Sequence, residues 1–119
     1  MYVCDRGNQR IQVFKRDGTF VKDGSIMEKG GPLLAPQDIA ISPDPQQRFL
    51  YLMTGERVYA VLRESFEVVG SFGHRGRSAG QFISGHSLAI DSKGNLFAGE
   101  TLAGSRLQKF APRGKAAAR

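Results

Sequence analysis

Short apolar runs recur along this chain, and clusters of Gly, Asp, Asn and Ser separate them. Leu88-Ala89-Ile90 stops at Asp91, and Ser92-Lys93-Gly94-Asn95 follows. That is turn chemistry, because Gly tolerates positive φ and Asp and Asn side chains hydrogen-bond their own backbone. Leu96-Phe97-Ala98 is a second run and Leu107 to Phe110 a third. Runs of this length between Gly- and Asp-rich turns predict antiparallel strands joined as hairpins and meanders. Nowhere do apolar residues keep a 3.6-residue period over a helical length, so the pattern predicts an all-β chain.

The pattern repeats. Ile39-Ala40-Ile41 precedes Leu88-Ala89-Ile90 by 49 positions. Arg10-Ile11-Gln12-Val13-Phe14, Arg57-Val58-Tyr59-Ala60-Val61 and Arg106-Leu107-Gln108-Lys109-Phe110 follow one another at 47 and 49 positions. Tyr2-Val3, Leu50-Tyr51-Leu52 and Leu96-Phe97-Ala98 fill the same slot of each copy. A strand-and-turn repeat of this period predicts four-stranded antiparallel propeller blades.

The first copy, residues 1–23, opens inside its second strand at Met1 to Cys4, then runs through Arg10 to Lys15 and Thr19 to Lys22. A Gly-rich loop from Asp23 to Pro36 leads to a whole second copy, 34–73, with strands Asp38 to Ser42, Phe49 to Met53, Arg57 to Leu62 and Glu67 to Phe72. A polar, exposed connection from Gly73 to Gln81 precedes the third copy, 80–110, which stops after three strands. Together these copies form one propeller segment, 1–110, and 111–119 is a basic, Ala-rich tail. Such a segment is about two and a half blades, an incomplete ring, since propellers close with roughly four to eight. The expectation is a C-terminal part of a longer propeller, or a short chain that self-associates through its open blade edges.

Composition leaves that picture in place. A 119-residue chain with 40% apolar residues and 15 Gly against 5 Pro suits a turn-rich β protein with a packed core. No run approaches the roughly 18 apolar residues of a spanning helix, and M-Y-V-C-D-R lacks a signal pattern, so neither a membrane span nor a leader is expected on this chain. Cys4 is the single cysteine and has no internal disulfide partner. The net charge of +6 points toward polyanions, but Arg113, Lys115 and Arg119 of the tail supply three of those charges. Nucleic acid is therefore not the expected partner.

The copies resemble NHL repeats. The residues that carry the resemblance are M-Y-V-C-D-R-G-N-Q-R-I-Q-V-F at 1–14, P-Q-D-I-A-I-S at 36–42, S-F-G-H-R-G-R-S-A-G-Q-F at 71–82 and H-S-L-A-I-D-S-K-G-N-L-F-A-G-E at 86–100. The resemblance covers nearly all of Met1 to Phe110 and implies an NHL-type β-propeller, with six blades in most bacterial members. It also implies a secreted or periplasmic parent protein as one option, as is frequent among bacterial relatives.

One enzyme family among NHL propellers, the peptidyl-hydroxyglycine α-amidating lyases, is similar at particular positions. It uses a zinc held by three histidines at inner-strand starts, with an arginine nearby. Gly85-His86-Ser87-Leu88-Ala89 matches its P-H-S-L-A motif except for the proline, and Cys4 to Gln12 resembles its A-D-R-x-N-x-R-I-Q motif. The resemblance implies a metal-ligand role for His86 and a catalytic role for Arg6. At the matching position of the second copy stands Gln37, a poor zinc ligand, and His74 falls in a linker. No cofactor is expected for this chain alone, and the resemblance leaves zinc as an option only for a full-length parent.

Other motifs fall away. Gly70-x-x-Gly73-x-x-Gly76 lacks a strand-to-helix context, and Gly85 to Ala89 is no nucleophile elbow because a strand follows it. Arg10, Arg57 and Arg106 at strand starts read as solvated faces or ion pairs between blades. Asp44, Asp91 and Glu100 read as acids spread among turns. Three functions follow in order of preference. The first is a non-catalytic binding or scaffold module that holds a protein, peptide or glycan through loops at one face, with Asp5, Arg6, Gln37, Asp38, His86 and Glu100 as the face residues. The second is a fragment of a zinc-dependent lyase, and the third is RNA binding on a basic propeller face. Leaning against catalysis, the chain by itself is expected to be inactive.

Overall fold

A strand with apolar residues at every position cannot be satisfied by burying one face, and Phe49-Leu50-Tyr51-Leu52-Met53 is such a strand. Its odd and even side chains point to opposite sides, so both sides need a layer. The computed structural model, which describes residues 1–28, 31–32 and 35–113, supplies them.

Three antiparallel sheets follow one another along the chain. The first holds β1 (Tyr2–Asp5), β2 (Arg10–Phe14) and β3 (Phe20–Gly24). A two-stranded hairpin, β4 (Met27–Glu28) and β5 (Gly31–Pro32), comes next. The second sheet holds β6 (Asp38–Ile41), β7 (Phe49–Met53), β8 (Val58–Leu62) and β9 (Val68–Phe72). The third holds β10 (Gly85–Ile90), β11 (Leu96–Glu100) and β12 (Leu107–Phe110). Each sheet is a simple meander in chain order, no barrel closes among the described residues, and the arrangement is compatible with successive propeller blades.

Two apolar layers hold the sheets together. Ile11 and Val13 of the first sheet, with Ile26, meet Leu50, Leu52, Tyr59 and Val61 of the second, and Phe66 closes that layer. Ala40, Met53 and Val58 leave the other side of the second sheet and meet Phe82, Leu88, Leu96 and Ala98. β10 lies beside β6 and β7, and β1 touches β6. The inner strands of neighbouring copies are thus side by side.

The three copies are equivalent in register. Asp5, Thr54 and Glu100 stand at or just past the end of the second strand of each and face Arg10, Arg57 and Arg106 at or just before the start of the third. A bulge falls at Val13/Phe14 in the first copy and at the matching Ala60/Val61 in the second. Bulges at equivalent places give each sheet the same local bend and twist.

Several boundaries differ from the sequence expectation. β10 starts at Gly85 rather than Leu88, because Gly85 N–H bonds Gly55 O at 2.9 Å and anchors the strand three residues early. β11 runs on to Glu100, whose amide bonds Arg106 O at 2.8 Å. The segment expected to be loop between Asp23 and Pro36 contains the β4–β5 hairpin. The connection after Gly73 is exposed at His74, Arg75, Arg77, Ser78 and Ala79, but it ends on Phe82, which is fully buried. The tail from residue 114 onward lies outside the described residues.

Close approach fixes one glycine. A Cβ on Gly85 would sit 1.8 Å from Met53 Cε and 2.6 Å from the carbonyl oxygen of Thr54. The Met53 methyl can swing away, but the backbone carbonyl cannot without moving β7. Gly85→Ala is therefore expected to destabilise the fold by about 1–3 kcal/mol, the usual cost of overpacking a filled core. Urea denaturation of the two proteins measures it, and equal midpoints would show that β10 can shift freely.

Candidate functional site

β1 and β11 end, and β6 and β10 begin, at the same end of the stacked sheets. The sequence therefore delivers Asp5, Arg6, Gln37, Asp38, His86 and Glu100 to one side of the molecule. Their surroundings differ sharply.

Arg6 opens a short 3-10 turn, Arg6–Asn8, and is exposed. Its Nη1 donates to Gln37 Oε1 at 3.1 Å, which links the first copy to the second. Asp5 is held locally, accepting from Asn8 Nδ2 at 2.9 and 3.1 Å and from Arg10 Nε at 2.8 Å. The Asn8 amide and then the Arg10 guanidinium keep its carboxyl below the usual aspartate value. Arg10 also reaches Asp23 at 2.8 Å, so it spans the first sheet from β1 to β3.

Asp38 connects the second and third copies. Its Oδ2 accepts the Leu88 N–H at 2.8 Å, and its Oδ1 accepts the Ile39 N–H at 2.9 Å. Burial, and then the Asp38 charge, push the half-buried Cys4 thiol up to about 11. It stays protonated at neutral pH and is no thiolate nucleophile.

His86 and Ser87 sit at the irregular start of β10 and are exposed. Among the described residues no three His, Cys, Asp or Glu side chains converge as a metal site. The fit to a three-histidine zinc centre thus rests on His86 alone, with Gln37 bonded to Arg6 at the matching place.

Glu100 is a different kind of residue from the one the sequence suggested. Its side chain is fully buried and turned toward the connection before β10. The carboxylate accepts from Ile83 N–H at 2.9 Å, from Gln108 Nε2 at 3.1 Å and from Arg106 Nε. Arg106 in turn donates to the carbonyl oxygens of Arg77, Ser78 and Gln81, and Gln108 Nε2 donates to Gln81 O. Glu100 is the anchor of the 73–84 linker. Sequence reasoning placed it among turn acids and missed this network. The signal was there in the spacing: an acid ends the second strand and an arginine opens the third in both the first and third copies.

Arg10 and Arg106 accordingly pair with acids of their own sheets rather than of a neighbouring one. The reason is register, since the acid and the arginine are directly opposite across a turn. In the second copy Thr54 replaces the acid, and its Oγ1 accepts the Arg57 N–H and donates to Arg57 O, both at 3.1 Å. The turn there is three residues tighter than in the third copy and closes on a hydroxyl.

A cleft of about 820 Å³ opens between β1 and β6, walled by Tyr2, Val3, Cys4, Ile39 and Ile41 with Arg16 and Arg63 at its rim. Two further clefts lie at the opposite end of the sheets, one between the first and second copies around Lys22, Arg48 and Arg63, and one between the second and third around Asp44, Tyr51 and Lys93. His86 lines none of the three. Compared with protein-family models and with curated proteins, the chain matches none. No helix among the described residues is long and apolar enough to cross a membrane.

Burial pushes the Glu100 pKa up, but the Arg106 guanidinium, the Ile83 amide and the Gln108 amide outweigh it and hold the carboxyl below its usual 4.5. A depressed folded-state pKa stabilises the protein in full above the unfolded value and ceases to do so as the pH falls through the folded one. Glu100→Gln is thus expected to lower stability at pH 7, with the gap to the native protein narrowing as the pH falls below about 4.5. Urea unfolding across pH 7 to 3 tests this, and parallel curves for the two proteins would show that the carboxylate is not stabilised by its partners.

Proposed function

We propose that this chain is a binding or scaffold segment of an NHL-type β-propeller, with blades at 1–23, 34–73 and 80–110. Its ligand is a protein, peptide or glycan held on the end where β6 and β10 begin. The observation that carries this reading is the pairing of exposed Arg6 with Gln37 across the first two copies, beside exposed His86 and Ser87 at the start of the third. Loops presented by stacked sheets are rigid enough to select a partner and free enough to meet it. Asp5 and Asp38 position that surface through bonds to their own and the next copy, and Glu100 supports it from within by fixing the linker. Self-association belongs to the same reading, because the outer sheets each leave apolar side chains uncovered.

Peptide and glycan arrays probed with the wild-type chain and with an Arg6→Ala/His86→Ala variant test the proposal. Hits that vanish in the variant, at an unchanged thermal midpoint, support it. No hits, or hits that the variant retains, overturn it. Two control measurements separate the competing readings. Zinc retained in one equivalent and lost with His86→Ala would favour the lyase, and saturable binding of a homopolymeric RNA at physiological salt would favour the nucleic-acid reading.

A further inference from the structure

We propose a second binding site, at the opposite end of the sheets from that loop surface and independent of it. The cleft between the second and third sheets takes a flat, bicyclic aromatic carboxylate, its rings on a floor of Ala60 and Gly70 and its charge toward Arg48 and Lys93.

The internal repeat shows what opens the floor. In the first sheet Tyr2, Val13 and Lys22 are cross-strand partners in one row that faces the second sheet. All three reach across. Tyr2 Oη accepts from Arg63 Nε at 2.7 Å, and Val13 packs in the apolar layer. Lys22 Nζ donates to Glu64 O and lies 4.7 Å from the centre of the Phe66 ring. The matching row of the second sheet is Tyr51, Ala60 and Gly70, and it faces the third sheet. Here alanine stands for valine and glycine for lysine, and Pro112, which has no side-chain donor, takes the place of Arg63. Among the described residues the Tyr51 hydroxyl has no hydrogen-bond partner. Burial, and then the Asp44 charge, raise its pKa, so it remains a neutral donor.

Gly70 needs its own reason, because a glycine inside a strand weakens it and marks a bulge, a bend or a close approach. The equivalent bulge of the first copy carries Lys22, so the bulge does not require glycine. Gly70 has no positive φ, and a Cβ built on it meets nothing within 4 Å among the described residues. What its missing side chain leaves is open floor. Neighbouring strands are roughly 5 Å apart, so Ala60 and Gly70 together present a bare strip wide enough for two fused rings. Ile90 and Pro112 stand opposite, in a cleft of about 600 Å³, which is within the range of small-molecule sites. The rim selects the charge. Asp44 is already occupied, accepting from the Ser42 hydroxyl, from Arg48 N–H at 3.2 Å and from Arg48 Nε at 3.4 Å. The two Nη groups of Arg48 and the ammonium of Lys93 have no acceptor among the described residues. A carboxylate matches the guanidinium fork and the second cation, and Tyr51 O–H adds a neutral donor.

The probe is naphthalenecarboxylate, titrated into the isotope-labelled full chain and followed by amide NMR. Saturable shifts at the Ala60, Gly70, Lys93 and Gly94 amides are expected. Naphthalenecarboxamide, which keeps the shape and loses the charge, is expected to bind about tenfold more weakly, as for loss of a charge-assisted bond. Naphthylmethylamine should bind more weakly still. Gly70→Val puts a strand-favouring side chain on the open floor, so it should abolish binding at an unchanged or raised thermal midpoint. Tyr51→Phe should weaken binding about threefold, as for loss of a neutral hydrogen bond. No saturable shift at millimolar naphthalenecarboxylate, equal affinity for the amine, or native affinity in folded Gly70→Val would overturn the proposal. So would contacts from the methyl groups of Ala116, Ala117 or Ala118 to Gly70 without ligand, which would make the chain's own tail the occupant.

Discussion

β7 is the strand on which the rest depends. Leu50, Leu52 and Met53 are fully buried, and they point to opposite sides of the same sheet. Each such side chain gains about 1.5–3 kcal/mol from leaving water, but only if a layer covers it. A single sheet can offer one buried face, so the second copy requires a sheet before it and a sheet after it. The first and third copies need one covered face each. Their burial patterns follow: β2 reads half-buried, buried, half-buried, buried, half-buried, while β12 alternates exposed and half-buried with nothing fully enclosed.

Stacking by apolar layers alone would leave the sheets free to slide, and polar groups set the offset. Arg6 to Gln37, Tyr2 OH accepting from Arg63 Nε at 2.7 Å, and Asp38 to Leu88 N–H each cross between copies at a fixed register. The linker before β10 has no regular ladder of its own beyond the Arg75–Phe82 bridge, so side chains take over its backbone groups. Arg106, just before β12, and Gln108 of β12 satisfy its carbonyls and Glu100 its Ile83 amide. Burying a carboxylate is costly unless it is paired and hydrogen-bonded, and Glu100 meets that condition with three partners.

The strands were legible because their cause is local. Alternating apolar residues and Asp, Gly and Asn turns act within a few positions, so every strand of the three sheets falls on an expected run, although β10 starts earlier and β11 ends later than its run. The repeat then aligned the copies without any knowledge of packing. Glu100 was not legible in the same way, since its neighbours Ile83 and Arg106 are fixed by which face of β11 it occupies. The β4–β5 hairpin was missed because Met27, Glu28, Gly31 and Pro32 carry no strand pattern. Phe66 is another such case: it adopts φ of 62° in the β8–β9 turn, a conformation its side chain does not favour, because the ring fills the layer against Gly24. Of the site, Arg6, Gln37, Asp38 and His86 could be placed at one end by strand order alone. Which of them is bonded and which is free depends on the approach of sheets far apart in sequence.

The sheets stack in one direction, and this constrains what can cover the ends. Ile11 and Val58 each point forward from the third β-strand position of their copies into the following sheet, and both are 0% exposed. Leu107, their equivalent, is 71% exposed. On the rearward side Leu52 and Ala98 are 0% exposed, while their equivalent Val3 is 38% exposed. The two uncovered surfaces are therefore of different kinds, one shaped like the front of a sheet and one like the back. A two-fold dimer would bring like to like, front against front, with no counterpart among the interfaces inside the chain. A head-to-tail contact would repeat the packing already made twice, with Leu107 of one sheet entering the layer that Val3 leaves open on another. Heterologous contacts of this sort close into rings or continue as filaments according to the rotation per step. A further sheet that repeated the packing around β7 would enter in the same sense as the three described.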